Sequence, residues 1–251
     1  MAATSANAAS PMRCKRDKCG VALVVASIVC FGSVTDRRQA ARNGSLTRTS
    51  QADNIRVMRT AGASMTMRET IKRLMAGFPR PWWVAGGWAV DFFIGATTRP
   101  HGDLDIAVLR ADQRDLQDHF SRCELKKVIS GTPLPWYPRE ELILPVHEIH
   151  AQLGDDRMEF LLNESDSTDW IFRRNPDVRL PLERLTVRSG DGIPLLCPEV
   201  VLLFKAKSPS ERDEHDFWAV RSVLDLSART WLARALDACH PGHPWRASLV
   251  Q

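Results

Sequence analysis

The chain is 251 residues long, 44% hydrophobic and 25% charged, the proportions of an ordinary soluble globular protein and not of a fibrous or disordered one. Its net charge of +4 sits at the front: residues 1–68 hold 11 Lys and Arg against 3 Asp and Glu, and residues 69–251 hold 23 against 27. The body is mildly acidic and shows no basic face for nucleic acid, and the chain lacks the several long apolar spans of a transporter.

Residues 1–65 are rich in Ala, Ser, Thr, Asn and Arg without a sustained period, and are read as a disordered or spurious extension. One apolar run, Gly20–Ser33, follows Arg13, Lys15, Arg16 and Lys18 and resembles a signal-peptide core. It falls short of the roughly 20 residues that cross a bilayer. The reading adopted is a misplaced start, with Met58, Met65 or Met67 as alternatives. Of the six cysteines, Cys14 and Cys19 in CKRDKC lack zinc-knuckle spacing, and Cys123, Cys197 and Cys239 are scattered. They suit reduced thiols and a cytoplasmic protein.

The folded part opens at TMRETIKRLMAGF. Thr66 and Glu69 form a capping-box pattern, and Ile71, Leu74 and Met75 follow at helical spacing. Pro79 and Pro81 end the helix. A short strand is expected over Trp82–Ala85, then a Gly86-Gly87 turn and a helix over Trp88–Ile94 stopped by Gly95. RPHGDLDIAVLR reads as a strand, ADQRDLQDHF as a helix with Leu116 and Phe120 inward, and Cys123–Ser130 as another strand. GTPLPWYPRE reads as a proline-rich loop. ILPVHEIHAQL and RMEFLLNE are strands joined at Gly154–Asp156, with shorter strands in DWIFRR and RLTVRSGDGIPLL. Pro198 starts a helix at its first turn, and two more are expected at about 211–225 and 228–239. This order suggests an α/β core over 66–197, a mixed sheet flanked by helices, with a small C-terminal helical segment over 198–251.

The chemistry is carried by RPHGDLDIAV. On a strand, Asp103 and Asp105 share one face while Leu104, Ile106 and Val108 take the other. Two carboxylates beside a core repel unless a cation sits between them, and hard oxygens suit Mg²⁺. Glycines at a strand–helix turn let backbone N–H groups approach a phosphate, which suits Gly86 and Gly87. A third carboxylate is expected on a neighbouring strand. Glu159 fits, either as a metal ligand or as general base. HEIH, residues 147–150, does not suggest zinc, because His147 and His150 face opposite ways on a strand. Trp136 and Tyr137 are candidates for an acceptor lid, with core packing the commoner fate of such rings.

GGWAVDFFIGATTRPHGDLDIAV resembles the signature of the DNA polymerase β-like nucleotidyltransferases, and within them the 2''-type aminoglycoside adenylyltransferases and related lincosamide enzymes. The match rests on Gly86, Gly87, Trp88, Asp91, Arg99, His101, Asp103, Leu104 and Asp105. The resemblance implies a polymerase β-like nucleotidyltransferase core of α/β (α+β) class. It implies that Gly86 and Gly87 hold an NTP, that Asp103, Asp105 and Glu159 are catalytic and bind Mg²⁺, two ions by expectation, and that an aminoglycoside-like antibiotic is the acceptor. Glu159 stands where the family more often has Asp. Arg99 and His101 are placed at the nucleotide or as orienters of the aspartates, with loop capping as the alternative. Lys205 and Lys207, on the helix after Pro198, are within reach of phosphate, with Lys205 the nucleotide candidate and solvated lysines the commoner fate of such residues. Asp213 and Asp216 read as helix-start caps. The partners expected are an NTP and a small-molecule acceptor, with no membrane and no nucleic acid. A protein or tRNA acceptor, or a fold that binds nucleotide without turnover, are the alternatives.

Overall fold

The computed structural model describes residues 66–153 and 156–250, which belong to one compact unit, Gly62–Gln251. The apolar run at 20–33, cysteines 14, 19 and 30, the start-residue reading and the core of the Gly154–Asp156 turn lie outside the described residues. Among the described residues no helix is long and apolar enough to cross a membrane.

Helix α1 (Met67–Leu74) starts on the expected capping box. Thr66 Oγ1 accepts from the Glu69 N–H, and Glu69 Oε2 accepts from the Thr66 N–H at 2.8 Å. That exchange satisfies two orphan donors at the helix start. Strand β1 (Trp82–Val84) follows, then α2 (Gly86–Ile94), closed by Gly95 at φ +82°. The helix begins two residues earlier than the Gly-Gly turn suggested, because Gly86 adopts φ +60° and turns the chain within its first residue. Strand β2 (Leu104–Leu109) is shorter than expected and leaves Asp103 just outside it. A 3₁₀ turn (Arg110–Asp112) leads into α3 (Gln113–His119), where Leu116 is fully buried.

Strands β3 (Glu124–Ile129) and β4 (Thr132–Pro135) form a hairpin with Ile129 opposite Thr132. The segment read as a proline-rich loop is thus partly a strand. Ser130 and Gly131 both take positive φ, 50° and 79°, the combination that lets a two-residue turn match strand twist. Pro133 and Pro135 are tolerated because β4 is the sheet edge, where a missing donor costs no ladder bond. Strands β5 (Glu148–Leu153) and β6 (Asp156–Ser165) pair antiparallel. Short strands β7 (Asp169–Ile171) and β8 (Arg179–Pro181) branch from the end of β6, and β9 (Thr186–Arg188) and β10 (Pro194–Leu196) close the far edge.

The main sheet runs β4-β3-β5-β6-β2-β1-β10-β9. The β2–β6 and β1–β10 pairs are parallel and the rest antiparallel. Strand β2 is therefore central, with Ile106, Ala107 and Val108 completely buried. Helices α4 (Pro198–Lys205), α5 (Glu211–Arg221), α6 (Leu226–Cys239) and α7 (Trp245–Leu249) follow. Val200, Leu202 and Leu203 of α4 are fully buried, and α4 packs against α2, α5 and α6. The segment after Pro198 thus shares one apolar core with the sheet. Helix α7 was not foreseen. Its Trp245 stacks flat on Phe217 at 4.4 Å and is held by a bond from Nε1 to Glu214.

Candidate active site

The parallel register of β2 and β6 sets Asp105 directly beside Glu159, and His150 of β5 stands on the other side of Glu159. Residues 103, 105, 148, 150 and 159 therefore collect on one face by strand alternation. Glu159 is half-buried; His150 Nε2 lies 2.7 Å from Glu148 Oε1 and 3.5 Å from Glu159 Oε1. The ligand atoms of Glu148, His150 and Glu159 all lie within 4.8 Å of one another. His147, the other imidazole of HEIH, is elsewhere: its Nδ1 bonds the Pro145 carbonyl, and it lines a separate cavity.

Asp105 is the strained charge of the site. Burial, with the Glu159 charge second, pushes its carboxyl up to about 7. Burial, then the Glu148 charge, also raises Glu159, against a partial offset from His150. Among the described residues neither Asp103 nor Asp105 has an ion-pair partner. A pair of hard carboxylates, one of them buried beside a third without a cation, is a donor set that fits Mg²⁺.

The glycines act as a cradle. A Cβ on Gly86 would fall 1.8 Å from Asp105 Oδ2, and one on Gly87 would fall 2.6 Å from both Arg99 Nη2 and His101 Cε1. Their missing side chains let the start of α2 close over Asp105, Arg99 and His101. The backbone completes the fit: the Ala85 N–H donates to the Asp105 carbonyl at 2.9 Å.

Arg99 and His101 are held beneath this cradle in buried pairs. His101 Nε2 meets Asp91 Oδ2 at 2.6 Å, and Asp91 also accepts from the Thr98 N–H and hydroxyl. Arg99 forks onto Asp216, 2.8 and 2.7 Å, and Lys205 reaches the same carboxylate at 3.1 Å and Asp213 at 2.6 Å. Burial alone would raise the Asp216 carboxyl, but the Arg99 hydrogen bond and the Lys205 charge outweigh it and hold it below its usual range. Asp213 does close the capping box of α5 with Ser210, as the helix-start reading expects, whereas Asp216 is fully buried in the pair with Arg99. Trp136 is a core residue and no lid: it is 5% exposed, and its Nε1 donates to the Glu140 carbonyl. Tyr137 is exposed.

Two cavities flank the carboxylates. One, about 350 Å³, is lined by Gly86, Phe204, Lys205 and Arg173 among others. The second, about 410 Å³, includes Asp103, Glu159, His150, Glu124 and Arg157. Both fall within the size range of small-molecule sites.

A family model described as aminoglycoside-2''-adenylyltransferase matches residues 69–219, which span every residue of the cradle and the carboxylate face. The chain belongs to the aminoglycoside-2''-adenylyltransferase family. Membership makes it a nucleotidyltransferase. Among solved structures, this family member is similar to the lincosamide antibiotic adenylyltransferase LnuA with lincomycin bound, at 19% identity and a TM-score of 0.46, over 64% of this chain and 99% of that one. It is similar to ANT(2'')-Ia in complex with adenylyl-2''-tobramycin, at 16% identity and 0.46, over 68% and 96%. A putative nucleotidyltransferase from Thermotoga maritima is similar at 14% identity and 0.33, over 73% and 95%. No curated protein matches the chain.

The site thus gathers Gly86, Gly87, Asp103, Asp105 and Glu159, with Arg99, His101 and Lys205 bound into the layer behind. Glu148 and His150 were not foreseen as partners of Glu159, although the signal was present: they stand two apart in HEIH and share a strand face.

Proposed function

We propose that the protein transfers a nucleoside monophosphate from an NTP to a hydroxyl of a small cationic antibiotic, aminoglycoside-like, and releases pyrophosphate. The observation that carries this reading is the buried Asp105, without an ion-pair partner beside Glu159 and closed over by a glycine that admits no Cβ. Asp103 and Asp105 would hold Mg²⁺, which supplies charge neutralisation at the phosphate under attack. Glu159 takes the proton of the acceptor hydroxyl as its oxygen bonds to the α-phosphorus and the bond to pyrophosphate breaks. His150, itself paired with Glu148, stands beside Glu159 from β5 and orients it.

Arg99, His101, Asp91 and Asp216 support the α2 start from behind. They act by positioning and not by touching nucleotide, since each is engaged in a buried pair. Lys205 sits between this layer and the first cavity and screens the charge of Asp105. A cationic acceptor is favoured on the Glu159 side by the carboxylates that collect there.

The test is pyrophosphate release with each NTP, Mg²⁺ and a panel of aminoglycosides and lincosamides, with Asp105→Asn alongside. The expected result is release that needs an acceptor, stops with chelation and falls about 100- to 1000-fold in Asp105→Asn, the scale of losing a preorganised electrostatic group. Unchanged release in Asp105→Asn would refute the assignment.

A further inference from the structure

The carboxylate face carries more negative charge than one Mg²⁺ between Asp103 and Asp105 neutralises. Burial first, then the charges of Glu159, Asp103 and Glu148, push Asp105 up, so four acids act on one another here. Among them, on the β5 side, stands an imidazole, His150. A Mg²⁺ site has no use for it, since Mg²⁺ takes oxygen ligands whereas imidazole suits Zn²⁺. Glu148 and His150 lie two apart on one face of β5, and His150 is directly across from Glu159 of β6. The pairing converges three side chains from two strands.

The distances suit a small ion. The ligand atoms of all three side chains lie within 4.8 Å of one another. Bonds of about 2.0–2.2 Å to a tetrahedral Zn²⁺ hold neighbouring donors roughly 3.4 Å apart. His150 Nε2 and Glu159 Oε1 already stand 3.5 Å apart. The 2.7 Å contact of His150 with Glu148 is a hydrogen bond, which opens by about 0.7 Å when a metal takes its place. Two carboxylates match the charge of the ion, and three protein ligands leave a fourth position for water. The ion has a way in: the three side chains keep between 30 and 36% of their surface exposed, and His150 and Glu159 line the second cavity. The other imidazole of HEIH takes no part. His147 bonds the Pro145 carbonyl instead, so the donor set is the Glu-x-His half of that motif completed by Glu159 from β6.

We propose that Glu148, His150 and Glu159 form a Zn²⁺ site, separate from the Mg²⁺ pair, that switches the enzyme off when filled. The switch rests on the nucleotidyltransferase reading. Glu159 is there the group that takes the acceptor's proton, and a carboxylate bonded to Zn²⁺ has its lone pair engaged and is held toward β5. Asp103, Asp105 and the glycines supply no ligand to this ion, so the nucleotide end is untouched. Zn²⁺ therefore lowers turnover without weakening NTP binding.

The experiment titrates the full chain with Zn²⁺ against a chromophoric chelator in excess Mg²⁺, and repeats the titration with Co²⁺, whose spectrum separates imidazole and carboxylate ligands from thiolates. Wild type is compared with Glu148→Gln, His150→Gln and, as the control, His147→Gln. Pyrophosphate release is read as the ratio of rates with and without Zn²⁺, so a change of basal rate in a variant cancels. The expected result is Zn²⁺ binding that Mg²⁺ does not displace, weakened about 10- to 100-fold in Glu148→Gln and in His150→Gln, the scale on which metal sites respond to loss of a supporting group. His147→Gln should bind as wild type. Inhibition should shift to higher Zn²⁺ by the same factor in the two site variants, with kcat lowered and NTP binding unchanged. Zn²⁺ binding that survives His150→Gln, gives only a thiolate spectrum with Co²⁺, or falls equally in His147→Gln overturns the site and leaves the enzyme reading intact. Binding at these residues without inhibition overturns the switch. A chain that binds Zn²⁺ there yet releases no pyrophosphate in its absence takes down the enzyme reading, and the switch with it, while the metal site stands.

Discussion

Gly86→Ala separates a steric demand of the site from an ordinary demand of the backbone. At φ +60° an alanine pays about 1–2 kcal/mol for the left-handed conformation. Gly95 makes the same backbone demand at φ +82°, yet nothing lies within 4 Å of where its Cβ would go. At Gly86 the new Cβ would sit 1.8 Å from Asp105 Oδ2 and 2.8 Å from Cγ. Ordinary contact needs about 3.4 Å, so the carboxylate or the start of α2 must move by more than 1 Å. Displacement on that scale costs roughly 100-fold in rate when the moved group orients the reaction. Gly95→Ala should therefore lose about 2–8 °C for a unit of this size, and Gly86→Ala that much or more, since its clash adds to the backbone cost. Only Gly86→Ala should also lose about 100-fold in pyrophosphate release. Scanning calorimetry and the coupled pyrophosphate assay read the two effects separately. Equal turnover in Gly86→Ala and Gly95→Ala would refute the claim that the glycine exists to seat Asp105.

Gly87→Ala should act on stability through the layer behind: its Cβ meets His101, which must leave Asp91, and a buried carboxylate stripped of one partner costs about 1–3 kcal/mol. The expected readout is a lower denaturation midpoint with an unchanged denaturant slope. Asp216→Asn leaves Arg99 and Lys205 facing a neutral amide and should cost about 3–5 kcal/mol. Because Asp216 titrates below its unfolded value, its contribution is present above about pH 4 and is lost as pH falls through the folded value. The wild type should lose stability steeply on acidification below pH 4, and Asp216→Asn should flatten that limb. An acid limb of equal slope in both would show that this pair does not govern it. Trp136→Ala should cost about 3–5 kcal/mol as a core truncation; a lid residue would leave the melting temperature alone and raise the KM for acceptor.

What could be read along the chain was local or periodic. The Thr66–Glu69 box, the Gly95 stop and the proline-led start of α4 depend on residues within one turn of each other, and each stands where its sequence places it. The alternation around Asp105 likewise carried its burial side, since Leu104, Ile106 and Val108 are all in the core. Strand β4 was hidden because two prolines outweigh β-branched content in any local reading. Only the position at the sheet edge makes them harmless, and that position is set by the β3–β5 pairing.

The site divides along the same line. Asp103, Asp105 and the glycines are close in sequence and answer to one motif. The pairs that immobilise them are not: Arg99 and Asp216 lie 117 residues apart, and His101 meets Asp91 across a loop. A sequence shows that these residues are charged, but whether Arg99 faces a phosphate or a buried aspartate depends on where α5 docks. The same docking decides the fate of the cations beyond α4. Lys205 is absorbed by Asp213 and Asp216, so it cannot serve as a free phosphate ligand without giving up two ion pairs.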